Sequence, residues 1–255
     1  MTNIFKDCTV EGNVIKLPTY QLDRKDYLAV KKTMSNNNGK WKGGKVFGFV
    51  FDHDPTELLT KLQGGEVVNN KKETQFFATP VEVVRQMIKL SGISASEIEN
   101  NRPYILEPSA GDGAIVNELR KQVGYNLDID VCEIDKNRQD KLEQDENNNL
   151  IVPNFLSLPL SRKYDWIFMN PPFNKGQFNE HIGKAYKHLD VGGTLVAIMP
   201  RGAKQSDLLR GFVMHDLADE CHGNKVVELP AGSFKSSGTN IDCDLILIQK
   251  ITPIK

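Results

Sequence analysis

The run from residue 104 to residue 123 restricts the fold more than any other part of the sequence. Residues 104–106 predict a short buried strand, residues 107–113 form a turn rich in glycine, and residues 114–123 carry helical periodicity. This order is typical of a nucleotide site, because glycines let the backbone approach a ligand and a helix start presents free N–H groups. Position 116 is Val, so the dinucleotide pattern GxGxxG is not completed, which favours a cofactor without a pyrophosphate.

A second predicted strand, residues 127–132, is followed directly by Glu133. Glu133 lies about 20 residues after Gly113, where folds of this kind place a carboxylate for ribose hydroxyls. The alternative is an exposed acid at the end of a strand. The spacing favours the ribose-binding acid.

The rest of the sequence alternates between predicted strands and helices. Strands are predicted at residues 164–169, 194–199, 226–229 and 243–248, and helices at residues 178–189 and 208–217. Gly192 and Gly193 are expected to end the first of these helices as a C-cap. Strands that alternate with helices predict an α/β protein with a doubly wound, mostly parallel sheet.

Asn170, Pro171, Pro172 and Phe173 follow the strand at 164–169 and suit methyl transfer to a conjugated amine. The amine of adenine is a poor nucleophile, because its lone pair is delocalised into the ring. The Asn170 side-chain oxygen and the Pro171 carbonyl, held by the fixed φ of two prolines, would each accept one amine hydrogen and draw the nitrogen toward sp3 geometry. Phe173 would stack on the base, a contact worth about 1–3 kcal/mol. The alternative is that Asn-Pro-Pro only ends the strand in a turn.

With these motifs in this order, the sequence resembles the class I S-adenosylmethionine-dependent methyltransferases, and within them the N6-adenine DNA methyltransferases with an Asn-Pro-Pro-Phe motif. The resemblance covers residues 75–250. It implies S-adenosylmethionine as the cofactor, a Rossmann-like sheet of seven strands with a final antiparallel strand, and a target adenine that is flipped out of double-stranded DNA.

The resemblance also implies which residues contact the cofactor. The matching positions are Phe77, Ala78, Thr79, Pro80, Glu107, Pro108, Ser109, Gly111, Gly113, Glu133, Ile134 and Asn170. After the third strand the family usually has an Asp that contacts the cofactor adenine, whereas this chain has Asn154 followed by Phe155. An Asn side chain still hydrogen-bonds an amine, so Asn154 and Phe155 are predicted at that place.

The N-terminal part of the chain is basic. Residues 1–75 contain 12 Lys or Arg and 9 Asp or Glu. Helices are predicted at residues 22–34 and from 54 or 55 to 62, a loop at 35–44 and a strand at 46–51. Basic residues interleaved with aromatic residues suit a phosphate backbone, and the alternative is a solvated hairpin. The predicted contacts are Lys31, Lys32, Lys40, Trp41, Lys42 and Lys45.

Two domains follow from this distribution. Residues 1–72 are predicted as a small α+β domain that contacts DNA, and residues 73–255 as the methyltransferase domain, because the catalytic part leaves no room for a separate recognition domain. Four basic residues in loops at the carboxyl edge of the sheet are added as phosphate contacts: Lys175, Arg201, Lys204 and Lys235.

The composition fits a soluble globular protein, with a net charge of −1 and 39% hydrophobic residues. No apolar run approaches the length of a membrane span and residues 1–6 lack a signal sequence, so a cytoplasmic protein is expected. No metal site is expected, and His53 is the nearest candidate for a ligand cluster. The four cysteines are expected to be buried thiols: Cys8, Cys132, Cys221 and Cys243.

Three alternatives to DNA adenine methylation remain open at this point. RNA adenine methylation uses the same chemistry. Protein glutamine methyltransferases use Asn-Pro-Pro-Tyr on an amide nitrogen, and Phe173 and the basic N-terminal segment argue against them. The third alternative is a non-catalytic subunit that binds the cofactor. No nuclease signature stands out, which favours a stand-alone methylase encoded by a bacterium, phage or plasmid, with a separate restriction nuclease as an alternative partner.

Overall fold

The computed structural model of the protein describes residues 4–51, 54–68, 77–125, 127–173, 177–201 and 225–250. The chain divides into two compact units, Met1–Phe76 and Phe77–Lys255, which are called the N-terminal unit and the C-terminal unit below. The domain boundary predicted between residues 72 and 73 lies in the segment 69–76, outside the described residues.

The N-terminal unit contains a four-stranded antiparallel sheet with the strand order β1, β2, β4, β3. Its strands are β1 (Thr9–Glu11), β2 (Val14–Lys16), β3 (Lys40–Lys42) and β4 (Gly48–Val50), its helices are α1 (Arg24–Asn36) and α2 (Thr56–Gln63), and a 3-10 turn spans Ile4–Asp7. Asp23 caps α1, because its carboxylate accepts a hydrogen bond of 2.7 Å from the Asp26 amide. One face of the sheet packs on both helices through buried apolar side chains of β2, β4, α1 and α2.

The loop predicted at residues 35–44 is wrong in part, because Lys40–Lys42 forms β3. Trp41 lies opposite Phe49 on β4, and the two rings pack edge to face with centroids 5.1 Å apart. Burying this aromatic pair against the core favours a strand despite the Asn and Gly residues nearby. The strand predicted at 46–51 is shorter and spans Gly48–Val50.

The C-terminal unit contains a seven-stranded sheet in the order β10, β11, β9, β8, β5, β6, β7. β11 is antiparallel to both of its neighbours and the other pairs are parallel. The strands are β5 (Ile105–Glu107), β6 (Ile129–Val131), β7 (Asn148–Leu150), β8 (Tyr164–Met169), β9 (Leu189–Pro200), β10 (Lys225–Glu228) and β11 (Cys243–Gln249). The predicted doubly wound, mostly parallel sheet with a final antiparallel strand is confirmed.

Helices cover both faces of this sheet. They are α3 (Val81–Ser91), α4 (Ala95–Asn101), α5 (Ala114–Val123), α6 (Lys136–Leu142) and α7 (Gln177–His188), with 3-10 turns at Phe155–Ser157 and Lys235–Ser237. The helix predicted at residues 208–217 lies outside the described residues. Within the described ranges, none of the helices is both long and apolar enough to cross a membrane.

Two buried clusters lie on opposite faces of the sheet, because successive residues of a strand point to opposite sides. On β8, Phe168 packs with side chains of α3 and α5, whereas Ile167 and Met169 pack with side chains of α7. A central strand that is buried on both faces is mostly apolar, which explains why the strand at Tyr164–Met169, apolar except for Asp165, is visible in the sequence.

The prediction that Gly192 and Gly193 cap a helix is wrong. Helix α7 ends at His188 and β9 begins at the next residue, so both glycines lie inside β9. There the Gly192 amide donates to the Lys250 carbonyl at 2.7 Å, and a β-carbon on Gly193 would come within 2.9 Å of the Tyr164 carbonyl oxygen. The glycines therefore permit an irregular, crowded strand pairing.

Candidate active site

The candidate site lies at the sheet edge where the parallel strands β5, β6 and β8 end. Glu107 is the last residue of β5, Glu133 follows β6 by two positions, and Asn170 follows β8 directly. β5 pairs with β6 on one side and with β8 on the other. The strand order reverses its direction at β5, which makes this edge the switch point where doubly wound sheets bind ligands.

The glycine turn of residues 107–113 joins β5 to α5. Gly111 and Gly113 have φ angles of 58° and 78°, a left-handed conformation that glycine adopts without strain. The Ala110 amide donates to the Cys132 carbonyl at 2.9 Å and so fixes the turn to the neighbouring strand. Gly113 is the N-cap residue of α5 and has no side chain with which to cap the helix.

Glu107 supplies this missing cap. Its Oε2 accepts a hydrogen bond of 3.1 Å from the amide of Val116 in the first turn of α5. The side chain is 1% exposed, and burial raises the pKa of its carboxyl well above the ordinary value, although the Val116 amide acts in the opposite direction. The sequence predicts a cofactor contact for Glu107, whereas its buried side chain holds the helix start to the strand end.

The pKa shift of Glu107 predicts a pH-dependent stability. A carboxyl with a higher pKa in the folded chain stabilises the fold fully below its unfolded pKa, and this contribution is lost as the pH rises through the folded pKa. As the pH rises above about 4.5, the unfolding free energy of wild type should therefore fall relative to that of Glu107→Gln. Urea unfolding at several pH values measures this difference, and a constant difference would contradict the assignment.

Glu133 ties the glycine turn to the loop after β6. Its Oε2 accepts a hydrogen bond of 2.7 Å from the Gly111 amide, and its Oε1 accepts one of 2.8 Å from the Asp135 amide. Burial raises the pKa of the Glu133 carboxyl, and the two amides oppose this rise. The buried Arg138 lies 3.9 Å from Glu133 Oε1 and 3.4 Å from Asp135 Oδ2, so a cation balances the two carboxylates.

The geometry of Glu133 fits the ribose of a nucleoside. Each carboxylate oxygen accepts two hydrogen bonds, and each uses one on a backbone amide, which leaves one for a ribose hydroxyl. The adjacent Ile134 is 63% exposed and offers an apolar surface beside that carboxylate. In the glycine turn Pro108 is buried and Ser109 is half-buried. The turn, the start of α5 and Glu133 thus fit a nucleoside cofactor without a pyrophosphate.

Asn154 and Phe155 differ in what they present to this edge. Asn154 is exposed, and its Oδ1 accepts a hydrogen bond of 3.0 Å from the Leu156 amide. Phe155 is 2% exposed, and its ring packs near the rings of His181 and His188, with centroids 5.9 Å and 5.7 Å away. The Phe155 ring is therefore core packing, and the cofactor contact predicted for this residue would have to come from its backbone.

Asn170 is half-buried, and both of its amide hydrogens have acceptors. Nδ2 donates to the Phe77 carbonyl and to Thr79 Oγ1, each at 3.1 Å. A backbone carbonyl only accepts, so the group that faces Phe77 must be the NH2 group and the amide orientation is fixed chemically. Oδ1 accepts no hydrogen bond from the described part of the chain and is left as an acceptor at the end of β8.

The next three residues place an aromatic ring beside that acceptor. Pro171 is buried, and Pro172 and Phe173 are half-buried. The Phe173 ring meets the Phe178 ring of α7 edge to face, with centroids 6.2 Å apart. Phe178 thus holds one edge of Phe173, while the partial exposure of Phe173 leaves ring surface for stacking.

The segment Phe77, Ala78, Thr79 and Pro80 lies against Asn170 at the end of β8. Asn170 binds the first and third of these residues, and Pro80 is the N-cap residue of α3. The Ser237 hydroxyl donates to the Ala78 carbonyl from the connection between β10 and β11. The structure therefore brings this segment, predicted as a cofactor contact, together with Asn170 at one sheet edge.

The basic residues predicted on β3 and α1 lie on different surfaces. Trp41 packs on the core of the N-terminal unit, so Lys40 and Lys42 point to the opposite face of the sheet. Lys31 and Lys32 lie exposed on α1, which packs on the core face. The six predicted residues therefore do not form one continuous surface.

Lys16 is a further cation on this sheet, and no sequence pattern indicates it as a phosphate contact. It lies opposite Gly48 on β4, which in turn lies opposite Lys42 on β3. Lys16, Lys40 and Lys42 together are called the outer lysine face below. Lys16 also pairs with Glu11 at 3.4 Å, so its charge is partly balanced.

The basic residues predicted at the sheet edge have different environments. Arg201 donates to Asp244 Oδ1 from Nη2 at 2.6 Å and to the Leu229 carbonyl at 2.8 Å. Because the Asp244 carboxylate is buried, Arg201 is engaged in a partly buried ion pair, and the phosphate contact predicted for it stays a prediction. Lys235 is exposed, and Lys175 and Lys204 lie outside the described residues. Lys45, predicted as a contact in the N-terminal unit, is also exposed.

Among the described residues, no group of three or more His, Cys, Asp and Glu side chains is arranged to hold a metal ion. His53 lies outside the described residues, as does Cys221. Cys8, Cys132 and Cys243 are free and buried. Burial raises the pKa of the Cys132 thiol to about 12, so it is protonated at neutral pH and is a core residue.

The seven-stranded sheet with one antiparallel strand, the glycine turn after β5 and the acid after β6 define a class I S-adenosylmethionine-dependent methyltransferase. The family described as the methyltransferase small domain matches residues 95–227, about half of the chain. The chain belongs to this family, and S-adenosylmethionine is its cofactor, as predicted. No curated protein sequence matches the chain significantly.

Solved structures share the fold at low sequence identity. A Vibrio vulnificus protein described as a modification subunit of a type I restriction enzyme has a TM-score of 0.55 and 17% identity over 94% of this chain and 62% of its own. A Listeria monocytogenes protein described as a class I S-adenosylmethionine-dependent methyltransferase has a TM-score of 0.53 and 13% identity over 78% of this chain and 68% of its own. A Pyrococcus horikoshii protein described as an RNA methyltransferase has a TM-score of 0.52 and 16% identity over 72% of this chain and 92% of its own.

Proposed function

We propose that this protein transfers the methyl group of S-adenosylmethionine to the N6 amine of an adenine in DNA. The observation that carries the proposal is the orientation of the Asn170 amide. Its two N–H groups are bound by Phe77 and Thr79, so Oδ1 is available to accept a hydrogen from a substrate amine. An acceptor that is oriented before the substrate arrives stabilises the transition state without reorganising.

The residues after β8 have separate tasks in this reaction. When bound, S-adenosylmethionine supplies a methyl group on a positively charged sulfur. Asn170 Oδ1 and the Pro171 carbonyl accept the two amine hydrogens, which returns the nitrogen lone pair from the ring to the nitrogen. As the N–C bond forms, the S–C bond breaks, and the nitrogen then releases one proton to water. Phe173 stacks on the base and holds it in the plane that these acceptors require.

Three observations favour adenine in DNA as the substrate. Phe173 offers ring surface that suits a flat base. The outer lysine face presents cations suited to a phosphate backbone. The similarity to the Vibrio vulnificus modification subunit covers 94% of this chain, so it extends beyond the C-terminal unit. RNA adenine and protein glutamine carry the same kind of nitrogen and are tested as alternatives.

A substrate panel tests the proposal. The full chain is incubated with labelled S-adenosylmethionine and, in parallel, with unmethylated plasmid DNA, total RNA or total protein. The expected result is label in N6-methyladenine from DNA. Label in RNA or in methylglutamine, with none in DNA, would overturn the substrate class, and no label in any acceptor would support a non-catalytic subunit.

The outer lysine face is expected to contact DNA more than the lysines on α1. Each lost phosphate contact reduces the slope of log affinity against log salt by about 1, so Lys40→Gln/Lys42→Gln should reduce it by about 2. Fluorescence anisotropy over a range of salt concentrations measures the slope. The matched variant Lys31→Gln/Lys32→Gln should change the slope less. An equal or larger effect of that variant would show that the DNA contact lies on α1 instead.

A further inference from the structure

We infer that Thr79 and Ser237 are positioning residues for the Asn170 amide. Thr79 acts on Asn170 directly, and Ser237 acts through the backbone of the segment that binds it. The inference rests on the proposed role of Asn170 in methyl transfer. It assigns to residues 77–80, predicted only as a cofactor contact, the further role of orienting the Asn170 acceptor.

The Phe77 carbonyl decides which way the Asn170 amide faces, and the Thr79 hydroxyl holds the amide as its second partner. A rotation of the amide by 180° would turn Oδ1 toward the Phe77 carbonyl and place two acceptors against each other. It would also break the 3.1 Å hydrogen bond to that carbonyl, whereas the Thr79 hydroxyl, also 3.1 Å away, can accept from Nδ2 or donate to Oδ1 and so anchors the amide without selecting its orientation. Thr79 is 9% exposed, so water cannot easily replace its hydroxyl as the second acceptor.

The segment that carries these two acceptors is itself held from the other side. The Ser237 hydroxyl donates to the carbonyl of Ala78, the residue between Phe77 and Thr79. Ser237 lies on the 3-10 turn Lys235–Ser237, which ends at Gly238 in a left-handed conformation with a φ of 85°. The backbone of Ala78 is therefore fixed by Ser237 while its two neighbours fix Asn170.

This arrangement predicts an effect on the chemical step rather than on folding. Without the Thr79 hydroxyl, one N–H of a half-buried amide lacks its acceptor and the amide samples other orientations. Oδ1 is then correctly placed for a smaller fraction of the time. The value of kcat should fall, whereas the affinity for S-adenosylmethionine should change little.

Three variants separate positioning from a general structural role. Thr79→Val keeps the shape of the side chain and removes the hydroxyl, and Thr79→Ser keeps the hydroxyl. Ser237→Ala removes the donor to Ala78. Ser233→Ala is the matched control, because Ser233 lies in the same connection and its hydroxyl binds the Pro230 carbonyl at 2.6 Å instead.

Steady-state kinetics with the methyl acceptor found in the substrate panel provides the first test. Thr79→Val should lower kcat about 10-fold, as expected for a half-buried donor without an acceptor, and Thr79→Ser should restore most of it. Ser237→Ala should lower kcat by a smaller factor, with Ser233→Ala unchanged. Unchanged kcat in Thr79→Val, or equal losses in Thr79→Val and Thr79→Ser, would overturn the inference.

The NMR signals of the Asn170 side-chain amide provide a test that needs no methyl acceptor. These signals are identified by their loss in Asn170→Ala. One of the two N–H signals should shift and exchange faster with solvent in Thr79→Val and return in Thr79→Ser. If this pattern appears but no acceptor is methylated, the proposed function fails and the positioning network stands. If the signals are unchanged in Thr79→Val, the inference fails whatever the substrate.

Discussion

Replacing Asn170 by Ala is expected to lower kcat by about 10²–10³-fold, the range seen when one preorganised polar group of a catalytic site is removed. The variant removes Oδ1, the acceptor that faces the substrate amine, and leaves the Pro171 carbonyl as the second acceptor. In the described part of the chain, no hydrogen bond joins the Asn170 side chain to the glycine turn or to Glu133. The affinity for S-adenosylmethionine, measured by calorimetry, should therefore stay within about threefold of wild type.

Asn179→Ala is the matched control for this variant, because Asn179 is an exposed residue of α7 in the same unit. It should retain wild-type kcat. Thermal unfolding of Asn170→Ala should also be compared with wild type, since Nδ2 binds the segment that begins at Phe77. Undiminished turnover in a folded Asn170→Ala protein would refute the role assigned to this residue.

Replacing Glu133 by Ala is expected to weaken the binding of S-adenosylmethionine about 100-fold. Two hydrogen bonds from ribose hydroxyls to a charged acceptor would be lost, and each such bond is worth about 1.5–3 kcal/mol before compensation by water. The variant also frees the amides of Gly111 and Asp135, so the glycine turn loses its link to the loop after β6. Calorimetric titration with S-adenosylmethionine measures the loss.

Glu146→Ala provides the control, because Glu146 is an exposed acid just before β7, at the other end of the strands. It should bind the cofactor as wild type does. Glu133→Gln should lie between wild type and Glu133→Ala, since the amide keeps one oxygen but loses the charge. Wild-type affinity in Glu133→Ala would exclude Glu133 as the ribose acid.

The parts of the fold that the sequence predicts well depend on local patterns. The helix at Ala114–Val123 and the strand at Tyr164–Met169 are found with the predicted bounds, because both are regular and apolar on the buried sides. The glycine turn and the acid after the second strand belong to the same local pattern. The doubly wound, mostly parallel sheet follows from the alternation of strands and helices, and the final antiparallel strand from the family resemblance.

The parts that the sequence does not predict depend on distant partners. Gly192 and Gly193 resemble a helix cap, and only the pairing with Lys250 shows that they lie inside a strand. β3 is hidden among Asn and Gly residues until Trp41 is placed opposite Phe49. Long-range packing outweighs local preference in both cases.

The candidate site also combines features that are visible in the local sequence with features that depend on distant partners. The residue types at positions 170–173 indicate amine chemistry, but the orientation of the Asn170 amide depends on the Phe77 carbonyl, 93 positions away. Ser237 is 159 positions from Ala78, and no local signal marks it. Arg201 looks like a free cation in the sequence and is paired with Asp244 in the structure.

We propose that this chain methylates the N6 amine of adenine in DNA through Asn170. The most direct measurement is mass spectrometry of nucleosides from the DNA of a host without adenine methylation, after expression of wild type or of Asn170→Ala. N6-methyladenine is expected with wild type and none above background with the variant. Absence of N6-methyladenine with a folded, cofactor-binding wild type, or equal amounts with both proteins, would contradict it.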